Sequence, residues 1–282
     1  MKFKVLGTAA ATSIPLVFCN CTTCRNARTH KGHDYRLRSH AIIDDVVLID
    51  LSPDLCSSTM QYNIDLNKVT VLLQTHSHSD HFDAGHFVTR WSEYATKNLN
   101  HLDIVASVGT LKGMNHWIKQ NEPCIDLFGK EWQEDMKYSV IPIKSAETKR
   151  IGNYTITAID SNHDANVEAL IYLIEKDGKC ILYGTDVLYL DDAAWKILSA
   201  KRIDVLLLDQ TYGKGCNNGG HLDVEQIGEI VTKMRTINAI HSETRIYATH
   251  ISHEGNGTHD EMRAVAKNYG YDIAYDGMEI EV

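Results

Sequence analysis

The sequence predicts an α+β fold in which two packed, mixed β-sheets carry helices on their outer faces. Two observations support this. Strand patterns followed by helical patterns recur in both halves of the chain, with no low-complexity linker or shift in composition between them. The residues able to do chemistry cluster where apolar strand runs stop. A single domain over 1–282 is expected, and 282 residues suffice for a large core.

The elements follow in order. Lys2–Leu6 alternates as a strand and stops at the Gly7-Thr8 turn. From Ala9 to Tyr35 strand and helix signals are sparse, and a loop is expected over about 9–35. Ser39–Ile43 and Val46–Ile49 read as a hairpin around Asp44-Asp45, ending at Asp50. Pro53 opens a helix through about Tyr62, Val69–Leu73 is a buried strand, and His81–Trp91 is a helix. Residues 92–150 say less, with a strand at Asp103–Ala106 and a helix over Val108–Ile118; Trp117 and Trp132 are read as packing residues. Strands at Tyr154–Ile159, Ala169–Ile174, Cys180–Tyr183 and Ile203–Leu208 follow, with a helix at Asp191–Ser199. Val224–Met234 is a helix, Arg245–Ala248 a strand, and Asp260–Tyr269 a helix. Short strands at Tyr271–Ala274 and Met278–Glu281 come last.

Charge and cysteine usage narrow the partners. A net charge of −9 argues against a long anionic backbone, so nucleic acid is not expected and a small substrate is. The opening Met1–Gly7 reads as a strand rather than a signal peptide, and no apolar run approaches membrane-spanning length. A cytoplasmic location and no membrane partner are expected. Seven cysteines are an odd number, and Cys19, Cys21 and Cys24 form a C-x-C-x-x-C that can bring three thiolates to one tetrahedral ion. Arg25, Arg28, Lys31, Arg36 and Arg38 make this stretch locally basic, either as a solvated face or to guide an anionic substrate.

The strongest signal is Gln74-Thr75-His76-Ser77-His78-Ser79-Asp80-His81, which follows the apolar run and has the form H-x-H-x-D-H. Alternation in an extended loop would turn His76, His78 and Asp80 to one side and leave His81 for a second ion. Imidazole with carboxylate suits Zn, Fe or Mn. His163, Asp186 in Gly184-Thr185-Asp186, and His250 each follow a later strand, where a single Asp usually caps a turn and a single His is weak evidence of a site. His221 follows a loop rich in Gly and Asn, over 213–220.

This motif resembles that of the metallo-β-lactamase superfamily of binuclear metallohydrolases. The resemblance implies a four-layer αββα sandwich. It implies that His76, His78 and His163 hold one ion, that Asp80, His81 and His250 hold another, and that Asp186 bridges them. It implies two divalent ions, Mn or Zn with Fe a further option, and a supporting Asp50 behind the ligands. Asp80 and His221 are the catalytic residues it implies, His221 as general acid to the leaving group. Within the superfamily, the C-x-C-x-x-C with His253 three residues beyond His250 resembles the cyclic-phosphate phosphodiesterases of phosphonate breakdown, where the extra ligands hold a structural zinc. Asp276-Gly277-Met278 resembles their C-terminal segment, whereas Ala9–Ser13 lacks their glycine-rich stretch and 82–140 shows no match.

The expected activity is therefore hydrolysis of a small, cyclic phosphodiester by hydroxide that the ions make available. The alternatives are a tRNA 3′-end endonuclease, a thioesterase, or a non-catalytic accessory protein of pyrroloquinoline quinone synthesis. A homodimer is left open.

Overall fold

The computed structural model describes residues 1–94, 98–216 and 219–282. The first sheet collects β1 (Lys2–Gly7), β2 (His40–Ile43), β3 (Val47–Ile49), β4 (Val71–Leu73), β5 (Leu102–Ala106) and β6 (Tyr138–Pro142). The second collects β7 (Thr148–Ile151), β8 (Tyr154–Asp160), β9 (Leu170–Lys176), β10 (Lys179–Gly184), β11 (Val205–Asp209), β12 (Arg245–Thr249) and β13 (Asp272–Ile273). The last strand, β14 (Glu279–Glu281), returns to the first sheet and pairs with β1, giving orders 14-1-2-3-4-5-6 and 13-12-11-10-9-8-7. Strand directions repeat between the sheets. From β14 to β3, and again from β7 to β10, neighbours are antiparallel; from β3 to β6 and from β10 to β13 they are parallel.

Side-chain alternation makes this a sandwich. Val47, Ile49, Val71 and Leu73 meet Ile181, Tyr183, Val205 and Leu207 in a core between the sheets. Their neighbours Leu48 and Leu72 face outward against α2 (Leu55–Tyr62), α3 (Ala84–Val88) and α4 (Val108–Asn121). Leu182, Leu206 and Leu208 likewise face α6 (Asp192–Ser199), α7 (Val224–Thr236) and α8 (His259–Ala266). Four layers result, as expected for a sheet buried on both faces. No helix among the described residues is long and apolar enough to cross a membrane.

Several expectations need correction. The stretch read as a loop holds α1 (Thr22–His30), which buries only Cys24 and Ala27 and so shows no apolar stripe. The helix expected over His81–Trp91 shrinks to the five residues of α3, because Asp83 caps it by accepting from the His86 amide. The featureless 92–150 also contains α5 (Lys130–Asp135), β6 and β7. Arg36 is neither a solvated nor a guiding cation. It is 2% exposed, and its guanidinium donates to Thr8 Oγ1 (2.8 Å) and the Ala274 carbonyl (2.7 Å) and meets His259 Nδ1 at 3.0 Å.

Burial draws the Arg36 pKa down to about 10 against the pull of Asp276 and Asp34, so it stays cationic. Thr8 Oγ1 in turn donates to Asp276 Oδ1 (2.6 Å). Desolvation pushes the Asp276 carboxyl up to about 7 against the pull of Arg36, which also pins the N-terminal and C-terminal segments together. Arg36→Ala is expected to lower unfolding free energy by about 3–5 kcal/mol in urea denaturation. Arg38→Ala, which breaks the more exposed pair with Asp54, should cost under about 1 kcal/mol. A smaller loss at Arg36 than at Arg38 would reject this account.

Candidate metal centre

The chemistry-bearing residues lie at the carboxyl ends of the parallel strands, where open sheets present their sites. Four of the turns that deliver them are left-handed at non-glycine residues: Asp50 after β3 (φ 64°), Asn162 after β8 (φ 52°), Asp186 after β10 (φ 55°) and His250 after β12 (φ 58°). Asn, Asp and His are among the residues that tolerate this region best, at a cost of about 1 kcal/mol or more each.

Two donor groups form. His76, His78 and His163 converge in one, and Asp80, His81, Asp186 and His250 in the other, each set having donor atoms within 4.8 Å of one another. The alternation argument fails here. The segment is not extended, because the amides of His81 and Phe82 both donate to the His78 carbonyl, and this turn carries Asp80 to the side of His81. Asp186 lies between the groups, its Oδ1 3.9 Å from His76 Nε2 and 3.5 Å from His163 Nε2. Its Oδ2 lies 3.0 Å from His81 Nε2 and 3.3 Å from His250 Nε2.

These contacts are close but are not satisfied hydrogen bonds. Asp186 Oδ2 is buried without a partner of hydrogen-bonding geometry, although His81 is near enough to attract it electrostatically. His76 Nε2 and His78 Nδ1 face each other at 3.0 Å. Burial opposes charge on His81, yet Asp186, Asp80 and Asp50 hold it well above the usual imidazole range. Burial also works against ionised Asp186, but the imidazoles around it keep it well below the usual carboxylate range. Burial, with His81 beside it, drives His76 well below its ordinary value. Lone pairs aimed at shared points, beside buried carboxylates in excess of cations, fit divalent ions.

Outer groups set the ring tautomers. Asp50 is fully buried and accepts from His81 Nδ1 at 2.7 Å. The hydroxyls of Thr75 and Thr211 meet Nδ1 of His76 (3.1 Å) and of His250 (2.8 Å), and the Gly220 carbonyl meets Nδ1 of His163 (2.9 Å). His221 Nδ1 is held by the buried Asp209 Oδ2 at 2.8 Å. Burial lowers the His221 pKa, but Asp209, then Asp186 and Asp80, raise it to about 9. His221 lies within donor distance of His163 and Asp186. In its approach loop Asn217 and Asn218 fall outside the described residues.

The sequence reading missed Gln74, Thr75, Asp209 and Thr211. Gln74 Nε2 donates to Asp50 and to the carbonyls of His76 and His81, bracing the loop. An echo marks three of them: Gln74-Thr75 follows β4 as Gln210-Thr211 follows β11. Trp117 does more than pack, since its Nε1 donates to the Ser77 carbonyl between the paired histidines. Beside it Gly113 leaves no room for a Cβ, which would stand 2.1 Å from Ser77 Oγ.

A further group brings together Cys19, Cys21, Cys24 and His253. His253 Nδ1 is 3.4 Å from both Cys19 Sγ and Cys21 Sγ. Three sulfurs and one imidazole make a closed tetrahedral set of the zinc type.

Solved structures share this architecture. A diphosphatase of the PhnP family superposes with a TM-score of 0.76 at 21% identity, covering 100% of this chain and 96% of its own. Zinc-bound PqqB from Methylobacterium extorquens gives 0.75 at 17% identity over 100% of both chains. Human tRNase Z, short form, gives 0.66 at 16% identity over 100% of this chain and 99% of its own. At such identities the likeness is one of fold. An octanoyltransferase of Porphyromonas gingivalis (strain ATCC BAA-308 / W83) is 38% identical over 85 residues, a stretch spanning 29% of this chain and only 16% of that relative. The sequence model of the beta-lactamase superfamily domain matches residues 46–251, most of the chain and all seven candidate ligands of the two donor groups. The chain belongs to that superfamily, has the metallo-β-lactamase fold, and carries a donor array suited to divalent metal ions.

Proposed function

We propose that this protein is a binuclear metal-dependent phosphodiesterase acting on a small phosphodiester. The observation that carries the reading is the sharing of buried Asp186 between two donor groups, with the Asp209–His221 pair at their edge. His76, His78 and His163 would hold one ion and Asp80, His81 and His250 the other, with Asp186 bridging. Such ions supply Lewis acidity and a nucleophile from water at neutral pH. Asp50, Thr75 and Thr211 keep the ligand rings turned so that Nε2 faces the centre. Asp209 keeps the Nδ1 proton of His221, which leaves its Nε2 proton for transfer. Water gives an oxygen to phosphorus and a proton to the medium, the bond to the leaving oxygen breaks, and that oxygen takes the His221 proton. The diphosphatase among the fold relatives supports phosphorus as the reacting centre. The acidic chain favours a small substrate over RNA.

The same donors equally suit hydrolysis of a thioester, which is the second reading. Metal analysis joined to turnover on linear and cyclic phosphodiesters, a thioester and a precursor tRNA separates the readings. Faster turnover of the thioester than of any diester would replace the first reading by the second, and no turnover of any would favour an accessory role.

Asp186→Ala is expected to lose most of the metal in the two donor groups and nearly all hydrolysis. Full metal content and full rate in that variant would refute the bridge.

His221→Ala should slow a diester with an alkoxide leaving group by about 10²–10⁴-fold. It should slow a nitrophenolate ester far less, since that group departs without a proton. Asp209→Asn should follow the same leaving-group pattern more weakly. Equal losses on both esters would make His221 a positioning residue instead.

A separate structural zinc at Cys19, Cys21, Cys24 and His253 completes the reading. His253→Ala and Cys21→Ser should each lose about one zinc per chain and melt lower while keeping the other two ions. Unchanged zinc content and melting temperature in both would show the thiols to be free.

A further inference from the structure

A cleft of about 680 Å³ opens beside His163, within the usual size for a small-molecule site. Its floor is buried and apolar, formed by Ile143, Ala169 and Leu170. Its walls include two side chains that are unusually exposed for their type, Val108 (38%) and Tyr189 (53%). The backbone beneath Tyr189 is tied down: the Leu188 amide donates to the Ser161 carbonyl, and Asn162 Nδ2 donates to the Tyr189 carbonyl. The ring is therefore presented by a braced loop. The charged groups of the lining are three carboxylates, Asp160, Asp164 and Glu168, against one ammonium, Lys144.

Resting on the phosphodiesterase reading, we propose that this cleft is the subsite for an uncharged, apolar or aromatic ester arm of the substrate, and that Tyr189 and Val108 select it. Continuity with the centre is the first argument. His163 both lines the cleft and faces Asp186, so an arm attached to phosphorus at the donor groups enters the cleft directly. Position is the second. Among the described residues neither His221 nor its loop lines the cleft, so the arm held here is the one remote from the leaving oxygen. Charge is the third. Three carboxylates against one ammonium repel a second phosphate or carboxylate on that arm, which excludes polyanions while the donor groups still take the central phosphoryl. An apolar floor and an exposed tyrosine offer dispersion contact and ring stacking instead. Asp160 Oδ1 and Glu168 Oε2 accept from the Asn162 and Gly109 amides, roles an amide oxygen can also fill. The acids can therefore be neutralised without losing those acceptors.

The test uses two diesters with a common nitrophenolate leaving group, p-nitrophenyl phenyl phosphate and p-nitrophenyl 4-carboxyphenyl phosphate. Turnover is measured with the metal-loaded protein, and binding of diphenyl phosphate and of its 4-carboxyphenyl counterpart is measured by calorimetry. The phenyl arm should be preferred by about tenfold or more in kcat/KM and in binding. Tyr189→Ala should weaken phenyl-arm binding by about tenfold, with the kinetic loss carried by KM. The double variant Asp160→Asn, Glu168→Gln should shrink the preference against the carboxylate. Equal binding of the two arms, or no effect of Tyr189→Ala in a variant of parent melting temperature, overturns the inference. Selective binding without turnover of either diester would instead support the subsite and overturn only the reaction assigned to it.

Discussion

The Asp186 carboxylate is where the two halves of the molecule meet. Imidazoles from the first sheet, His76 and His81, approach it from one side, and His163 and His250 from the second sheet approach it from the other. A carboxylate buried to this depth costs several kcal/mol unless cations and hydrogen bonds offset it. His81 offers one positive charge, shared among Asp186, Asp80 and Asp50, and Oδ2 of Asp186 keeps no proper hydrogen bond. The sandwich thus holds a negative, donor-rich point between its sheets, and the rest of the architecture keeps those donors from collapsing onto one another. Rigid parallel strands and left-handed turns at Asp50, Asp186 and His250 do so at the cost of local strain.

That division of labour is repeated between the sheets. Both run through antiparallel pairs and then parallel pairs in the same order, and both end their parallel strands at the centre. In the first half Asp50 accepts from the Thr75 amide and hydroxyl and holds His81, while Thr75 Oγ1 faces His76. In the second half Asp209 accepts from the Thr211 amide and hydroxyl and holds His221, while Thr211 Oγ1 faces His250. Each half therefore uses one buried Asp and one Thr to orient two imidazoles. The halves differ in outcome. The direct partner of Asp50 is drawn into the donor group with Asp80 and Asp186, whereas the direct partner of Asp209 sits on a glycine-rich loop at its edge. The two rings are oriented alike, His221 by Asp209 at 2.8 Å and His81 by Asp50 at 2.7 Å.

Much of this was legible in the chain because the ligands are dense and stand at strand ends. H-x-H-x-D-H stands out by itself, whereas Asp186 and His250 were assigned only through the resemblance to the superfamily. Strands also read well, since sheets buried on both faces are written as continuous apolar runs such as Val71–Leu73 and Val205–Leu208. What failed lay where tertiary contact outweighs local pattern. The helix α1 has almost no buried face and is held by its ends, with Arg28 donating to the carbonyls of Leu16 and Cys19. Arg36 looked like surface charge because nothing local in the sequence announces a partner at Ala274 or His259. Gln74, Thr75, Asp209 and Thr211 were passed over because short polar residues after a strand usually cap turns; only the pairing across the molecule shows what they orient.

The stretch after β12 shows how far one loop can be made to serve two centres. His250 points into the donor groups, and Ile251 exchanges backbone hydrogen bonds with Thr8 and Ala10 of the N-terminal segment. Ser252 Oγ and Asn256 Nδ2 both donate to the Thr211 carbonyl, and Thr211 is the residue whose hydroxyl faces His250. His253 projects from the same stretch to the cysteines, 234 residues from Cys19 in sequence. The thiol cluster is therefore no remote staple. It fixes one end of a short, fully pegged loop whose other end is a candidate ligand. A metal held there would close a large ring and restrict the unfolded chain, but that gain would accrue wherever the cluster stood. Its placement within three residues of His250 is better explained by register: held at His253 and at Thr211, the loop has little freedom to move the imidazole out of line with Asp186.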